Sequence, residues 1–245
     1  MKDALPQTIY LKDYKVPPFL IETTDLVFDL GEQQTCVTSS LAVRRNPASA
    51  EQSGSLELNS KGDVQLQWVE IDGQRLNDSD YTLSDNMLTL SNLPTSCVIT
   101  TEVRIQPQLN TSMMGLYRSR TMYCTQCEAE GFRRITYFPD RPDIMSIFTV
   151  KIVADKASYP ILLSNGNAIS RSDLEGGRHS ITWHDPFKKP SHLFALVAGT
   201  LAVVEDSFTT VSGREIPLQI FVEEKDLDKC AHAMLSLKKS MRWDE

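Results

Sequence analysis

Apolar and polar residues alternate with a period of two along most of this chain, and that pattern predicts strands. Leu26, Phe28 and Leu30 fall on one side, with Val27 and Asp29 on the other. Gly31-Glu32-Gln33-Gln34 then turns into Val37, Ser39, Leu41 and Val43, which predicts a hairpin. Residues 46–54, NPASAEQSG, predict a polar loop. Leu56 and Leu58 follow, and Val64, Leu66 and Trp68 then switch phase to Val69 and Ile71 ahead of a turn at Asp72-Gly73. The change of phase predicts a bulge. Tyr81 and Leu83 pair with Leu88 and Leu90 across Ser84-Asp85-Asn86, and a strand from Val98 to Ile105 stops at Pro107. The first hundred residues show no helical period.

The second half continues in the same way. Phe148, Val150 and Ile152 alternate with Thr149 and Lys151. Ile161-Leu162-Leu163 leads into Ser164-Asn165-Gly166-Asn167, where Asn-Gly suits the positive φ of a type I′ hairpin turn. Glu175-Gly176-Gly177 predicts another turn, followed by His179, Ile181 and Trp183 up to Asp185-Pro186. Residues 193–197 and 202–204 are apolar, and Ser212-Gly213-Arg214 turns into Ile216, Leu218, Ile220 and Val222. So many short strands with regular turns predict an all-β fold, a curved, multi-stranded sandwich or saddle.

Only the last twenty residues change period. Asp226 suits the N-cap of a helix whose Leu227, Cys230, Ala231, Met234 and Met241 share a face, with Leu237 and Trp243 beside that stripe. The sequence reaches Glu245 without a C-cap signal, and nothing after it covers the apolar face. We expect two units, a β-domain over 1–200 and the start of a second domain over 201–245, in a chain cut from a longer protein.

Composition narrows the function classes. A net charge of −7, with Arg118, Arg120, Arg133, Arg134 and Arg141 interleaved with acids, excludes a basic stripe for nucleic acid. The start, MKDALPQTIYLKDY, has no apolar h-region, and no run is long enough to span a bilayer, so we expect a cytoplasmic protein with no membrane partner. Asn77-Asp78-Ser79 and Asn110-Thr111-Ser112 match a glycosylation pattern that has no meaning in that compartment.

Five cysteines at 36, 97, 124, 127 and 230 are an odd count, which favours reduced thiols. Cys124-x-x-Cys127 lacks the second short-spaced pair of a zinc ribbon and the βα context of a thioredoxin-like site, so Cys127 reads as a small core residue. The histidines, 179, 184, 192 and 232, include no pair four apart. His179 and His184 are five apart in a strand pattern, which favours opposite faces, and we expect no metal site in this sequence.

The segment CTQCEAEGFRRITYFPDRPD, residues 124–143, packs seven charged residues among Phe132, Ile135, Tyr137 and Phe138. Gly131, Pro139 and Pro142 oppose a helix there. If 126–130 run extended, Gln126, Glu128 and Glu130 share one face while Cys127 and Ala129 point to a core. By spacing alone that row is either the wet face of an edge strand or a carboxylate site for a cation.

Gln126-Cys127-Glu128, then Arg133-Arg134 and Phe138-Pro139-Asp140-Arg141-Pro142, resemble the N-terminal domain of the aminopeptidase N family, zinc metallopeptidases that release residues from peptide amino termini. Q-C-E-A-E-G-F-R is similar to the bacterial branch. The likeness extends through Gly115-Leu116-Tyr117, Leu163-Ser164-Asn165-Gly166-Asn167 and Leu196-Val197-Ala198-Gly199. It implies that Glu128 is this domain's share of the anchor for a peptide's α-amine and that Gln126 borders the first side-chain pocket. It also implies a catalytic half with H-E-x-x-H, a further Glu ligand and G-A-M-E-N, none of which occurs here, so zinc belongs to the full-length enzyme and this part is inactive alone. Its partners would be peptides with a free N-terminus and its own C-terminal catalytic domain. Glu130, Arg133, Arg134, Asp140, Arg141 and Asp143 match no functional motif and read as ion pairs holding the loop. A non-enzymatic β-sandwich binding module fits the strand pattern equally well, and a thiol oxidoreductase would need a low thiol pKa at Cys124 and Cys127.

Overall fold

The structure is a computed structural model that describes residues 8, 10–51 and 54–245. Residues 52 and 53 of the expected 46–54 loop, and most of the first nine, lie outside the described residues. The fold is all-β with one helix at its C-terminal end.

The first hairpin forms as expected. β1 (Phe19–Leu30) pairs with β2 (Thr35–Arg45) in a register that sets Phe28 opposite Val37, and Leu26, Phe28 and Leu30 are buried. β3 (Leu56–Asn59), β4 (Gln65–Ile71) and β5 (Gln74–Arg75) follow, and the register slips between Leu66 and Trp68, where a bulge was expected. β6 (Tyr81–Ser84), β7 (Met87–Leu90) and β8 (Ser96–Ile105) complete the first half.

β9 (Gly115–Ser119) and β10 (Met122–Gln126) form the next hairpin, and β11 (Met145–Asp155) then runs parallel to β1. β12 (Ile161–Ser164), β13 (Asn167–Asp173), β14 (Arg178–Pro190) and β15 (Leu196–Gly199) come next. The main sheet has eight strands in the order β13-β14-β11-β1-β2-β8-β4-β5. A four-stranded sheet, β12-β15-β10-β9, carries the motif segment, and β3-β7-β6 form a third, smaller sheet.

Asn165-Gly166 does not make the expected hairpin. β12 pairs with β15 in the small sheet and β13 pairs with β14 in the large one, so the turn carries the chain from one sheet to the other. Two observations account for this. Asn165 spends its side chain on the second sheet, accepting from the Ala195 amide at 2.8 Å and donating to the Leu193 carbonyl at 3.2 Å. Gly166, at φ +84°, lies so close to the His184 carbonyl that an added Cβ would sit 2.2 Å from its oxygen.

Aromatic rings fill the space around the motif. Phe132 meets Phe138, Phe148 and Phe194 edge-on at 5.0, 6.1 and 5.3 Å, and Phe28 stacks on Phe194 at 5.8 Å. These rings come from β1 and β11 of the main sheet, from the segment after β10 and from Phe194 just before β15, so the motif is part of the core. Tyr123 of β10 also donates to the Gly31 carbonyl at 3.0 Å, tying the small sheet to the β1–β2 turn.

Beyond residue 200, β16 (Ala202–Thr209) and β17 (Glu215–Val222) make a separate hairpin, followed by α1 (Cys230–Asp244). Asp226 is not its N-cap. Residues Glu224–Lys229 form a 3₁₀ segment, Asp226 pairs with Lys229, and α1 begins three residues later than expected. Nor is the helix face bare. Met234 is buried with Phe208 and Leu218 of the hairpin, and Val204, Ile216, Ile220 and Met241 pack around them. Ala231, expected on that face, is exposed.

Candidate functional site

β10 ends at Gln126, and residues 128–131 form a tight turn, not the extended run that the spacing suggested. The Gly131 amide donates to the Cys127 carbonyl at 2.9 Å. A Cβ on Gly131 would stand 2.4 Å from the Gln126 oxygen and 2.8 Å from the Cys127 Cα, so only glycine closes the turn this tightly. The Glu128–Ala129 peptide bond is cis and Glu130 sits at φ +64°. The turn over residues 128–131 breaks the expected single face of Gln126, Glu128 and Glu130. Cys127 is buried as expected, but Ala129 is exposed. The turn wins over alternation because the 3₁₀ segment Phe132–Arg134 must deliver Phe132 into the aromatic cluster within a few residues.

Gln126 and Glu128 remain neighbours. The Gln126 amide donates to the Glu128 carbonyl at 3.1 Å, and both side chains are exposed. Among the described residues the Glu128 carboxylate has no hydrogen bond or ion pair. The other charges of the segment are mostly paired. Arg133 meets Glu130 at 3.4 Å and buried Asp140 at 3.0 Å, and Arg141 pairs with Asp143 at 2.7 Å. Arg141 holds the Asp143 carboxyl below its usual range against the opposing effect of burial, and it also donates to the Lys15 carbonyl at 2.8 Å. Tyr14 donates to the same Asp143 at 2.9 Å. Arg134 departs from the expected scheme: it has no acidic partner among the described residues, and its stem packs beneath Gly115.

A cleft of about 480 Å³ opens on the flank of the turn, lined among others by Glu130, Arg133, Asp140, Arg141 and Phe19. Gln126 and Glu128 do not line it. They stand exposed on an open surface. Two links here left no mark in the sequence. Ser191 donates to Asp140 at 2.5 Å from 51 residues away, and Thr125 accepts from the Leu196 amide at 2.8 Å. Hydrogen bonds over such separations have no local signature.

The other candidates carry no chemistry. Burial drives the Cys127 thiol far above its ordinary pKa, the opposite of what a redox thiolate requires. His179 is buried with its Nε2 2.8 Å from the Tyr159 carbonyl, and His184 meets the Thr149 hydroxyl at 3.2 Å. No group of three or more His, Cys, Asp or Glu among the described residues is arranged to hold a metal, so zinc has no fitting site in these elements. No helix among the described residues is long and apolar enough to cross a membrane.

Residues 32–193 match the Peptidase M1 N-terminal domain, and the chain belongs to that family. It is 49% identical over 245 residues to aminopeptidase N of Caulobacter vibrioides, covering 100% of this chain and 28% of that protein. It is 48% identical over 244 residues to aminopeptidase N of Escherichia coli K12, covering 98% and 27%. The chain thus spans little more than a quarter of the length of these relatives. The solved structure of Legionella pneumophila aminopeptidase A in complex with aspartic acid superposes with a TM-score of 0.91 at 35% identity, over 96% of this chain and 28% of that one. The M1 zinc metallopeptidase of Deinococcus radiodurans shares the fold, with a TM-score of 0.69 at 15% identity over 86% of this chain and 49% of that one.

Proposed function

We propose that this domain is the N-terminal part of a zinc-dependent aminopeptidase and contributes one wall of the site that receives a peptide's free amino terminus. Glu128 offers its carboxylate to the α-ammonium, and Gln126 borders the pocket for the first side chain. Zinc, the metal-bound water and the groups that activate it belong to a catalytic domain that begins near residue 201, so residues 1–245 alone hydrolyse nothing. The five unpaired cysteines fit a cytoplasmic setting.

One observation carries this reading: on a turn where the neighbouring carboxylates are neutralised, Glu128 alone is exposed and unpaired. An acceptor carried on a braced turn but left open suits a cation that arrives from outside. In the assembled enzyme the opposing wall would exclude water, and a charge-assisted pair gains strength there.

The test is kinetic and uses the full-length protein. Removing one partner of a desolvated ion pair costs roughly 2–5 kcal/mol, so Glu128→Ala should lower kcat/KM by about thirtyfold to several-thousandfold. Glu128→Gln keeps the shape, loses the charge and should recover little. Glu130→Gln should cost far less, because Glu130 makes an exposed pair with Arg133 worth at most about 1 kcal/mol. A fully active Glu128→Gln beside a collapsed Glu130→Gln would show that the wrong carboxylate has been chosen.

A further inference from the structure

The turn that presents Glu128 is held from behind by a buried carboxylate. The Asp140 side chain is 3% exposed. Its Oδ2 accepts from the Arg133 amide at 3.1 Å and from Arg133 Nε at 3.0 Å, and its Oδ1 accepts from Ser191 Oγ at 2.5 Å. The Asp140 carbonyl accepts from the Arg133 guanidinium at 2.8 Å, and the Asp140 amide donates to the Asn59 side chain at 3.3 Å. Arg133 in turn reaches Glu130 on the turn itself.

Asp140 therefore joins four segments, two of them close in sequence and two others 81 and 51 residues away. They are the turn (through Arg133), the loop after Phe138, the end of β3 (through Asn59) and the short helix before β15 (through Ser191). β15 is the strand paired with β10, whose last residue is Gln126. One limb of the turn is thus fixed by the strand, and the other by Asp140.

Stability alone is a poor reason for such a group. A buried ion pair roughly breaks even against well-packed apolar residues, because desolvation offsets the attraction. What it supplies is fixed geometry, and a carboxylate that must meet an ammonium at hydrogen-bond distance depends on geometry more than the fold does. We propose that Asp140 is a positioning residue for the amine anchor, setting the place of Glu128 through Arg133 and Ser191 while touching no substrate itself. The inference rests on the reading of Glu128 given above.

A double-mutant cycle in the full-length enzyme separates positioning from general support. The variants are Asp140→Asn, Glu128→Ala and the two combined, assayed on an aminoacyl-arylamide. Asp140→Asn should lower kcat/KM by about 10- to 100-fold, mainly through KM, since a small displacement of a positioned group costs that much. In the Glu128→Ala background the same change should cost less than about twofold, because nothing remains to be positioned. Ser191→Ala removes a single bond, spares the Arg133 pair and should show the same pattern at smaller size. It carries the test if Asp140→Asn fails to fold. Equal losses in both backgrounds would overturn the inference and leave the anchor standing. A Glu128→Ala enzyme with the parent's kcat/KM would overturn the anchor reading first, and this one with it.

Discussion

The Cys127 carbonyl accepts the Gly131 amide at 2.9 Å, and this single bond bends the chain where alternation alone would have kept it straight. Gly131→Ala places a methyl group against the Gln126 oxygen, so the turn must open or Gln126 must move. Overpacking of this kind costs about 1–3 kcal/mol, which lowers Tm by about 2–10 °C in a chain of this size. Thermal denaturation of residues 1–245 measures it, and an unchanged Tm would mean that the turn has slack.

Gly166 and Gly213 give a paired test. Both have positive φ, +84° and +81°, but a Cβ on Gly166 strikes the His184 carbonyl whereas one on Gly213 meets nothing within 4 Å. Gly213→Ala should cost about 1 kcal/mol, the conformational part alone. Gly166→Ala should cost clearly more, since the crossover between sheets must shift. Equal losses in urea denaturation would show that His184 gives way easily.

The contrast between these two turns also shows what the sequence discloses. Burial at period two was legible for β1, β2 and β8 because each puts one face on a core, and the bulge near Trp68 followed from a visible change of phase. Asn165-Gly166 looked like a hairpin because positive φ is a local property, while the sheet each flanking strand joins is settled by Asn165 reaching Leu193 and Ala195. In the same way Cys127 was legible as core, but the turn after it depends on where Phe132 must go. The Asp140–Ser191 bond joins positions with nothing between them that announces it.

Thiol chemistry gives a pH-dependent expectation. Burial, with a smaller push from Asp72, raises the Cys97 thiol to about 11. A pKa raised by folding means that the native state keeps its proton where the unfolded chain has released it. The contribution is therefore complete below the ordinary thiol range and is lost as pH rises towards 11. Tm should fall more between about pH 9 and 11 in the parent than in Cys97→Ala. At pH 8 a thiol reagent should label Cys36 and Cys124, which are partly exposed, well before buried Cys97, Cys127 and Cys230. Fast labelling of Cys127 in the native protein would contradict its place in the core.

The hairpin and helix after residue 200 should open on their own. Their core cluster is Phe208, Leu218 and Met234, and Cys230 is the one other buried residue of the unit, whereas the main cluster runs from Phe19 to Ala198. Two polar contacts hold the helix to the hairpin: Lys238 meets Asp206 at 2.5 Å, and the Glu245 carboxylate accepts from the Val211 amide at 3.1 Å. Arg120 reaches Glu223 at 3.4 Å from the β9–β10 turn, but this pair is exposed and solvent screening leaves it weak. With so little apolar area to lose, local opening costs less than global unfolding. Amides of 202–222 and 230–244 should therefore exchange with solvent while those of 19–199 stay protected. Met234→Ala should cost about 2–4 kcal/mol within this unit and speed its exchange further, with little change in the main thermal transition. If instead all amides exchange together, and Met234→Ala lowers the single transition of the whole chain, the hairpin and helix belong to the first domain and a boundary near 200 is misplaced.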